Sequence, residues 1–472
     1  MDWKSLLYTH FRTRPQPLTV YESTMVPAAT VWTAKRLWVD YFRSLSLQPG
    51  DRIAIAAAPS PGFLASLFAA MWEGLTIALI PPAPEHDPSD LDARLILRAV
   101  HFDPAGAPVT DVAPELLDVH HAPTPDVRLL LRTFGSTGQP KWVALSDTNI
   151  LSVLSSHLPV LYPHAKLGAP DDEAARNGPV VLSILPWFHS FGLVVDLFTA
   201  LFSGATLIRD PSGGRDVQSI LRAGELYGVT HVSMVPLHVR RIAAAPGGLR
   251  FLQRLQGGVV GGAPITCDLV DILRTTKLRV GYGQTEASPG ITLGRPGEFV
   301  CNGLGDPVGC DVRITLEGHL QFKGHNACLG TFQRGQLMPL PTDRWQDTGD
   351  LVRRDDDRLI FIGRATSDFK LANGRVIRAA LIEDDLARTM PGLNDAALIS
   401  TDGETIDLVL CPARADFFPR HDVIERCLGP LIGKLRSITT GHINELPRTT
   451  KGDLDRAALA RHLGGLQRRK AG

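Results

Sequence analysis

The chain has 472 residues, 44% of them hydrophobic, enough for two or three domains with a large core. Lysine plus arginine and aspartate plus glutamate both number 49, so the formal net charge is +0 and the electrostatic footprint of a nucleic-acid binder is missing. Met1 to Arg14 lacks the apolar core of a secretory signal, and Phe63 to Ile80 is interrupted by Glu73-Gly74, so no membrane span is expected and the expected location is cytoplasmic. Six cysteines (Cys267, Cys301, Cys310, Cys328, Cys411, Cys427) show neither C-x-x-C spacing nor clustering, and are read as reduced, mostly buried thiols.

In chain order, Arg52 to Ala57 reads as a buried strand, Gly62 to Trp72 as a helix with Phe63, Leu67 and Met71 on one face, and Thr76 to Ile80 as the next strand. The alternation recurs. Val180 to Leu185, Ala205 to Ile208, His231 to Val235 and Gly258 to Val260 read as strands, and Leu193 to Phe202, Val217 to Tyr227 and Leu249 to Leu255 as helices. Loops are expected at Ala83 to Asp92, Pro163 to Gly178 and Gly213 to Arg215. Arg353 to Asp357 forms a polar turn between Leu351-Val352 and Leu359-Ile360-Phe361, a hairpin signal. A smaller α+β unit follows from Arg364, with a hinge expected at Arg364 to Asp368.

The most informative segment is Thr133-Phe134-Gly135-Ser136-Thr137-Gly138-Gln139-Pro140-Lys141. Its glycines let backbone N–H groups converge on an anion, Ser136 and Thr137 add hydroxyl donors, and Lys141 adds a point charge. Because lysine follows proline, this is not the Gly-Lys-Ser/Thr order of a Walker loop. Downstream, Pro186-Trp187-Phe188-His189-Ser190-Phe191-Gly192 follows a buried strand, where ligand sites in α/β sheets lie. Gly261-Gly262-Ala263-Pro264 offers bare backbone that a flat ring can approach. Gly281-Tyr282-Gly283-Gln284-Thr285-Glu286 supplies an aromatic face, a hydroxyl for a phosphate and a carboxylate suited to Mg²⁺, and Asp350 in Thr348-Gly349-Asp350 can take both ribose hydroxyls.

In this order the motifs resemble those of the adenylate-forming superfamily of acyl-CoA synthetases, peptide-synthetase adenylation domains and luciferases, from Gly50-Asp51-Arg52 to Arg456. The resemblance implies an α/β fold: a large N-terminal domain (1–364) of two mainly parallel sheets with flanking helices plus a distorted β-barrel, and a small mobile α+β C-terminal domain (365–472). It implies that a carboxylate and Mg-ATP give acyl-AMP and pyrophosphate, after which a nucleophile displaces AMP. Thr133, Gly135, Ser136, Thr137, Gly138 and Lys141 then hold the β- and γ-phosphates, Tyr282 and Gly283 the adenine, and Thr285 the α-phosphate. Glu286 ligates Mg²⁺, Asp350 and Arg364 bind the ribose, and Gly262, Ala263 and Pro264 line the adenine and acyl pockets. His189 moves between states, and Gly374 in Phe369-Lys370-Leu371-Ala372-Asn373-Gly374 admits a pantetheine arm.

Three departures stand out. Where the resemblance places the C-terminal lysine this chain has Asp453, and loss of a cationic donor there would cost ~10²–10³ in rate. Lys451 lies two residues earlier, on the same face of an extended segment at about 6.5 Å, and is carried as the substitute; the alternative is a solvated loop lysine. Phe134 and Trp142 are bulky at a loop that usually carries small residues, and either narrow the nucleotide site or pack beneath it. Phe191 replaces the aspartate that binds an α-ammonium in amino-acid-activating domains, which disfavours an α-amino acid. Trp187, Phe191 and Pro289 favour an aryl or medium aliphatic acid. The acceptor is coenzyme A, a carrier-protein pantetheine or an amine. Two alternatives stay open: an enzyme of the second half-reaction only, using preformed acyl-AMP, and a catalytically silent nucleotide- or acyl-binding homologue.

Overall fold

The structure, a computed structural model, describes residues 2–12, 14, 17–82, 89–119, 122–134, 140–168, 178–341, 343–412, 417–440, 447, 455–456 and 458–461. The chain divides into two compact units, one of Met1–Val312 and Phe322–Gln346, the other of Arg313–Gln321 and Asp347–Gly472.

In the first unit an eight-stranded sheet has a parallel centre, with Arg52–Ala56 between Thr76–Leu79 and Leu95–Arg98, and Leu129–Phe134 beside Thr76–Leu79. The crossover helix Pro61–Glu73 starts where Ser60 accepts from Phe63 N, with Pro61 in its first turn, and stops at Gly74 with φ 77°. Its residues from Pro61 to Met71 are all buried, which explains an apolar run in a core helix. Among the described residues no helix is long and apolar enough to cross a membrane. At the antiparallel side, Pro140–Leu145 pairs with Leu129–Phe134 from Leu129↔Leu145 to Phe134↔Pro140.

A second array is built from parallel strands Pro17–Tyr21, Thr206–Arg209 and Val180–Ser183. Single bridges Val181↔His231 and Met234↔Val260 link it to the parallel pair Val259–Gly261 and Arg279–Gly283. Residues 231–235 therefore form isolated bridges rather than the strand expected there. Gly290–Leu293 then runs antiparallel to Arg279–Gly283, with a register shift between Tyr282↔Thr292 and Gly283↔Gly290 that leaves Ile291 as the extra residue. Because the strands are parallel, the segments after Ser183, Met234, Gly261 and Gly283 all emerge at one carboxyl edge. The helix expected from Leu193 begins earlier as a π-helix, Phe191–Phe198, and continues as the α-helix Thr199–Phe202. The helix Asp147–Leu161 opens on a reciprocal cap between Ser146 and Asn149 and buries Ile150, Val153, Leu154, His157 and Leu158.

The reading of six reduced cysteines is corrected. Cys267 and Cys301 form a disulfide, with Cα atoms 4.6 Å apart and a sequence separation of 34. Their loops meet because Asn302 N donates to Ile265 O at 2.7 Å, a proximity that spacing alone does not reveal. Cys310, Cys328, Cys411 and Cys427 remain thiols.

In the second unit, Leu393–Ile399 pairs antiparallel with Ile406–Pro412, which pairs parallel with Leu435–Thr440; helices Ala379–Thr389 and His421–Leu428 supply the rest of its core. The hairpin expected around Leu351 to Phe361 is present as strands Gln346–Asp355 and Arg358–Arg364. This hairpin packs on the Ala379–Thr389 helix, where Gly363 leaves room for Ala380. The second compact unit thus takes in Arg313–Gln321 as well as the chain from Asp347 onward, and a domain boundary at residue 364 with a hinge at Arg364 to Asp368 is a proposal.

Candidate active site at the carboxyl edge

Thr133 and Lys141 face each other at the hairpin mouth, with Thr133 Oγ1 3.5 Å from Lys141 O and the Lys141 side chain exposed. Gly135, Ser136, Thr137 and Gly138 lie outside the described residues, as do Lys451 and Asp453. Trp142 packs beneath the hairpin. It is 2% exposed, its Nε1 donates to Asp90 at 2.9 Å, and its ring lies in a cluster with Ala78, Leu130 and Phe332.

At the carboxyl edge of the second array, three sequence-distant segments converge. Ser190 Oγ lies 3.0 Å from Thr285 Oγ1, tying the segment after Ser183 to the turn after Gly283. Gly262 has φ +78°, and a Cβ there would stand 3.5 Å from Val235 Cγ1 and 3.9 Å from Phe191 Cδ1, so Phe191, Val235 and bare backbone share one place. Ala263 and Pro264 beside it, and Tyr282, Thr285 and Glu286 opposite, are half-buried, while Gly283 is exposed. Cys328 N donates to Glu286 O at 2.9 Å; burial and then the Glu286 charge push the Cys328 thiol up to about 12. His189 is exposed, its N donates to Pro186 O at 3.2 Å, and its ring lies 4.9 Å from that of Phe188.

Behind this edge lies a buried polar group that the sequence reading did not assign. Trp187 is 1% exposed, packs on Phe63, and donates from Nε1 to Ser183 Oγ at 2.9 Å, so it belongs to the core and supports the edge from behind. Ser183 Oγ in turn donates to Asp196 Oδ2 at 2.9 Å. Arg209 donates to Ser183 O at 2.9 Å and Leu185 O at 2.7 Å, fixing the start of the Pro186 to Gly192 segment. Burial pushes the Asp196 carboxyl up to about 6, against hydrogen bonds from Ser183 and Ser233 and the Arg209 charge. The signal that could have found Asp196 is an acid in the otherwise apolar run Phe191 to Phe198.

In the second unit, Asp350 is 4% exposed and Arg364 Nε is 3.3 Å from its Oδ1. Thr348 Oγ1 donates to Leu320 O at 2.8 Å and accepts from Asp350 N at 3.1 Å, which fixes that carboxylate's backbone. Gly374 has φ +81° with no atom within 4 Å of a would-be Cβ. Asp455 N donates to Pro447 O at 2.8 Å, and Arg456 donates to Glu383 at 2.6 Å and Leu398 O at 2.7 Å. No group of three or more His, Cys, Asp or Glu is placed to hold a metal ion among the described residues.

A carboxyl edge carrying paired hydroxyls, bare glycine backbone and an acidic residue is the layout of an α/β nucleotide-using enzyme. The profile of the AMP-binding enzyme family matches residues 85–322, half of the chain, so the chain belongs to that family and is an acyl-adenylate-forming ligase. Among curated proteins it is 26% identical over 460 residues to a feruloyl-CoA synthase of an Amycolatopsis species, covering 89% of this chain and 91% of that one. It is 25% identical over 404 residues to the anthranilate–CoA ligase of Pseudomonas aeruginosa, covering 75% and 74%. Among solved structures, a fatty acyl CoA synthetase of Mycobacterium tuberculosis has a TM-score of 0.72 at 18% identity, covering 98% of this chain and 99% of that one. That likeness is one of fold.

Proposed function

We propose that this enzyme condenses an aryl or medium aliphatic acid with ATP, releasing pyrophosphate, and then passes the acyl group from acyl-AMP to the thiol of coenzyme A. The single observation that carries the reading is the convergence of Ser190, Thr285, Gly262 and Glu286 at one carboxyl edge. Attack of a carboxylate on the α-phosphate brings anions together, and donors fixed beforehand at the site of developing charge are what lower that barrier. Thr285, held by Ser190, is the proposed donor to the α-phosphate. Gly262 leaves the close approach that an adenine ring needs, and Tyr282 is the proposed stacking face.

Glu286 fits Mg²⁺ by donor type, since Mg²⁺ characteristically takes one or two carboxylates and completes its shell with substrate phosphates and water. When bound, the ion would supply charge neutralisation on the phosphates. In the second unit, Asp350 and Arg364 are the proposed ribose contacts, Gly374 the proposed pantetheine approach, and Arg364 to Asp368 the proposed hinge. A carrier-protein pantetheine is the alternative acceptor.

The acid class follows from the chemistry near Gly262. Phe191 offers an apolar ring, and an α-ammonium would need a buried acidic partner. Asp196 does not supply one, because Ser183 occupies its Oδ2 and burial favours its neutral form. The aromatic acids in the names of the feruloyl- and anthranilate-activating relatives support the aryl choice.

The test is pyrophosphate release with Mg-ATP across aryl and aliphatic acids, with and without coenzyme A. Acid-dependent release is expected, and Glu286→Gln should lower it by ~10²–10³. Silence with every acid would sink the reading. A second reading, in which only preformed acyl-AMP is used, rests on Asp453 and gains if synthetic acyl-AMP yields thioester while ATP plus acid does not. Lys451→Ala completes the test: loss of acyl-AMP formation supports the substitute lysine, and unchanged activity removes it.

A further inference from the structure

Gly290 sits where the second array meets the Asp147–Leu161 helix. A Cβ on Gly290 would lie 2.2 Å from His157 Nε2 and 2.4 Å from Cε1, so the imidazole edge occupies the space a side chain at 290 would take. The register shift aims this contact. Leu293 packs in the core under the helix, Ile291 turns away to a cluster with Phe322 and Ala327, and Gly290 returns to the helix side. Gly281 shares that side, since its Cβ would meet Val259 Cγ1 at 2.4 Å and Leu293 Cδ2 at 3.4 Å. The segment cannot drift from the imidazole, because Asn326 Nδ2 donates to Gly290 O at 2.7 Å and Ser288 Oγ to Asn326 O at 2.8 Å.

The imidazole has one nitrogen to spare. His157 is 1% exposed, its Nδ1 is 3.0 Å from Ser156 Oγ, and its Nε2 has no hydrogen-bond partner among the described residues. Ser156 Oγ donates its own proton to Ser152 O at 2.9 Å, which assigns the Nδ1 proton to the histidine and leaves Nε2 as a buried lone pair. Burial holds the ring neutral, with its pKa pulled down to about 4. Buried polar atoms are nearly always partnered, and this exception lies against Gly290, which pairs with Gly283, two residues before the proposed α-phosphate donor Thr285.

We infer that His157 is a specificity-determining residue for the acid, its Nε2 accepting a hydrogen bond from a hydroxyl or amino group that the acyl moiety carries away from its reacting carboxylate. The inference rests on the ligase reading above, and names the polar feature by which the enzyme sorts acids. A site with a buried acceptor binds the donor-bearing acid and penalises the analogue with hydrogen in its place, which would leave the nitrogen desolvated and unpaired.

The experiment uses matched pairs: 4-hydroxycinnamate against cinnamate, and 2-aminobenzoate against benzoate. Pyrophosphate release with Mg-ATP is measured for wild type, His157→Leu and His157→Gln. Wild type should favour the donor-bearing member of at least one pair by ~10²-fold or more in kcat/KM. That ratio should collapse toward one in His157→Leu and be partly restored by His157→Gln, which keeps an acceptor. An equal ratio in wild type and His157→Leu, or none in wild type, overturns the inference. A second readout is independent of turnover: the His157 imidazole ¹⁵N spectrum, assigned by its loss in the variants. Donor-bearing acids should shift Nε2 and their plain partners should not. Should no acid release pyrophosphate while Nε2 responds, the ligase reading fails and the binding role of His157 stands; an unresponsive Nε2 overturns that role, whatever the turnover.

Discussion

In the first unit, His157 and Asp196 are each buried with one polar atom unpartnered among the described residues, whereas in the second the carboxylate of Glu383 is met twice by Arg456 at 2.6 Å. Asp407, also in the second unit, takes Arg436 Nε at 3.0 Å and Ser437 Oγ at 2.6 Å. Both arrangements desolvate polar groups, and the difference lies in what completes them. A carboxylate with its arginine is complete within the fold, and it acts as scaffold. A neutral imidazole or carboxyl with a lone pair left over is incomplete until something else arrives. The contrast is between polar pairs that the fold itself completes and buried polar atoms that it leaves open.

The most damaging way to break that contrast is to make the second unit resemble the first. Arg456→Met leaves the Glu383 carboxylate buried without its cation, and should cost ~3–5 kcal/mol in denaturant unfolding of the second unit. The double variant Glu383→Met with Arg456→Met should recover most of that loss, since both charges are then gone. A single-variant loss below ~1 kcal/mol would place the pair among ordinary surface bridges and remove the contrast.

Asp196 tests the other side. Its folded pKa of about 6 lies above the ordinary 3.8, so the native state keeps a proton that the unfolded chain releases between those values. Its stabilising contribution is therefore present below pH 3.8 and lost as pH rises through about 6. About two pKa units correspond to roughly 3 kcal/mol. Asp196→Asn should remove this dependence, so the wild-type-minus-variant unfolding free energy should fall between pH 4 and pH 7.5. A flat difference would show that Arg209, Ser183 and Ser233 already satisfy the carboxylate.

Much of this was legible in the sequence for local reasons. Helix Pro61–Glu73 announces itself by Ser60-Pro61 and Gly74, and the Leu351 to Phe361 hairpin by its charged turn. The motifs after strands fall at the carboxyl edge because parallel topology puts them there. What was not legible depends on partners far away in the chain. Ser190 meets Thr285 across 95 residues, His157 meets Gly290 across more, and the Cys267–Cys301 pair follows from two loops joined by a backbone hydrogen bond. The π-helix at Phe191–Phe198 has no compositional mark, and the bulk of Trp142 beside the glycine-rich segment is explained only by Asp90, which gives its indole a partner.

The mildest change sharpens the comparison most finely, because it separates shape from reception within one turn. Gly262→Ala places a Cβ 3.5 Å from Val235 Cγ1, an ordinary contact, so its cost in stability should be the ~1–2 kcal/mol of holding alanine at φ +78°. Gly261→Ala is different, since its Cβ would stand 2.5 Å from Gly281 O inside the parallel pairing and should disrupt the strands themselves. If the bare backbone at Gly262 receives the nucleotide, Gly262→Ala should raise KM for ATP well beyond what its small shift in Tm implies. If KM for ATP is unchanged, the glycine serves only the turn, and adenine must be sought elsewhere along the edge.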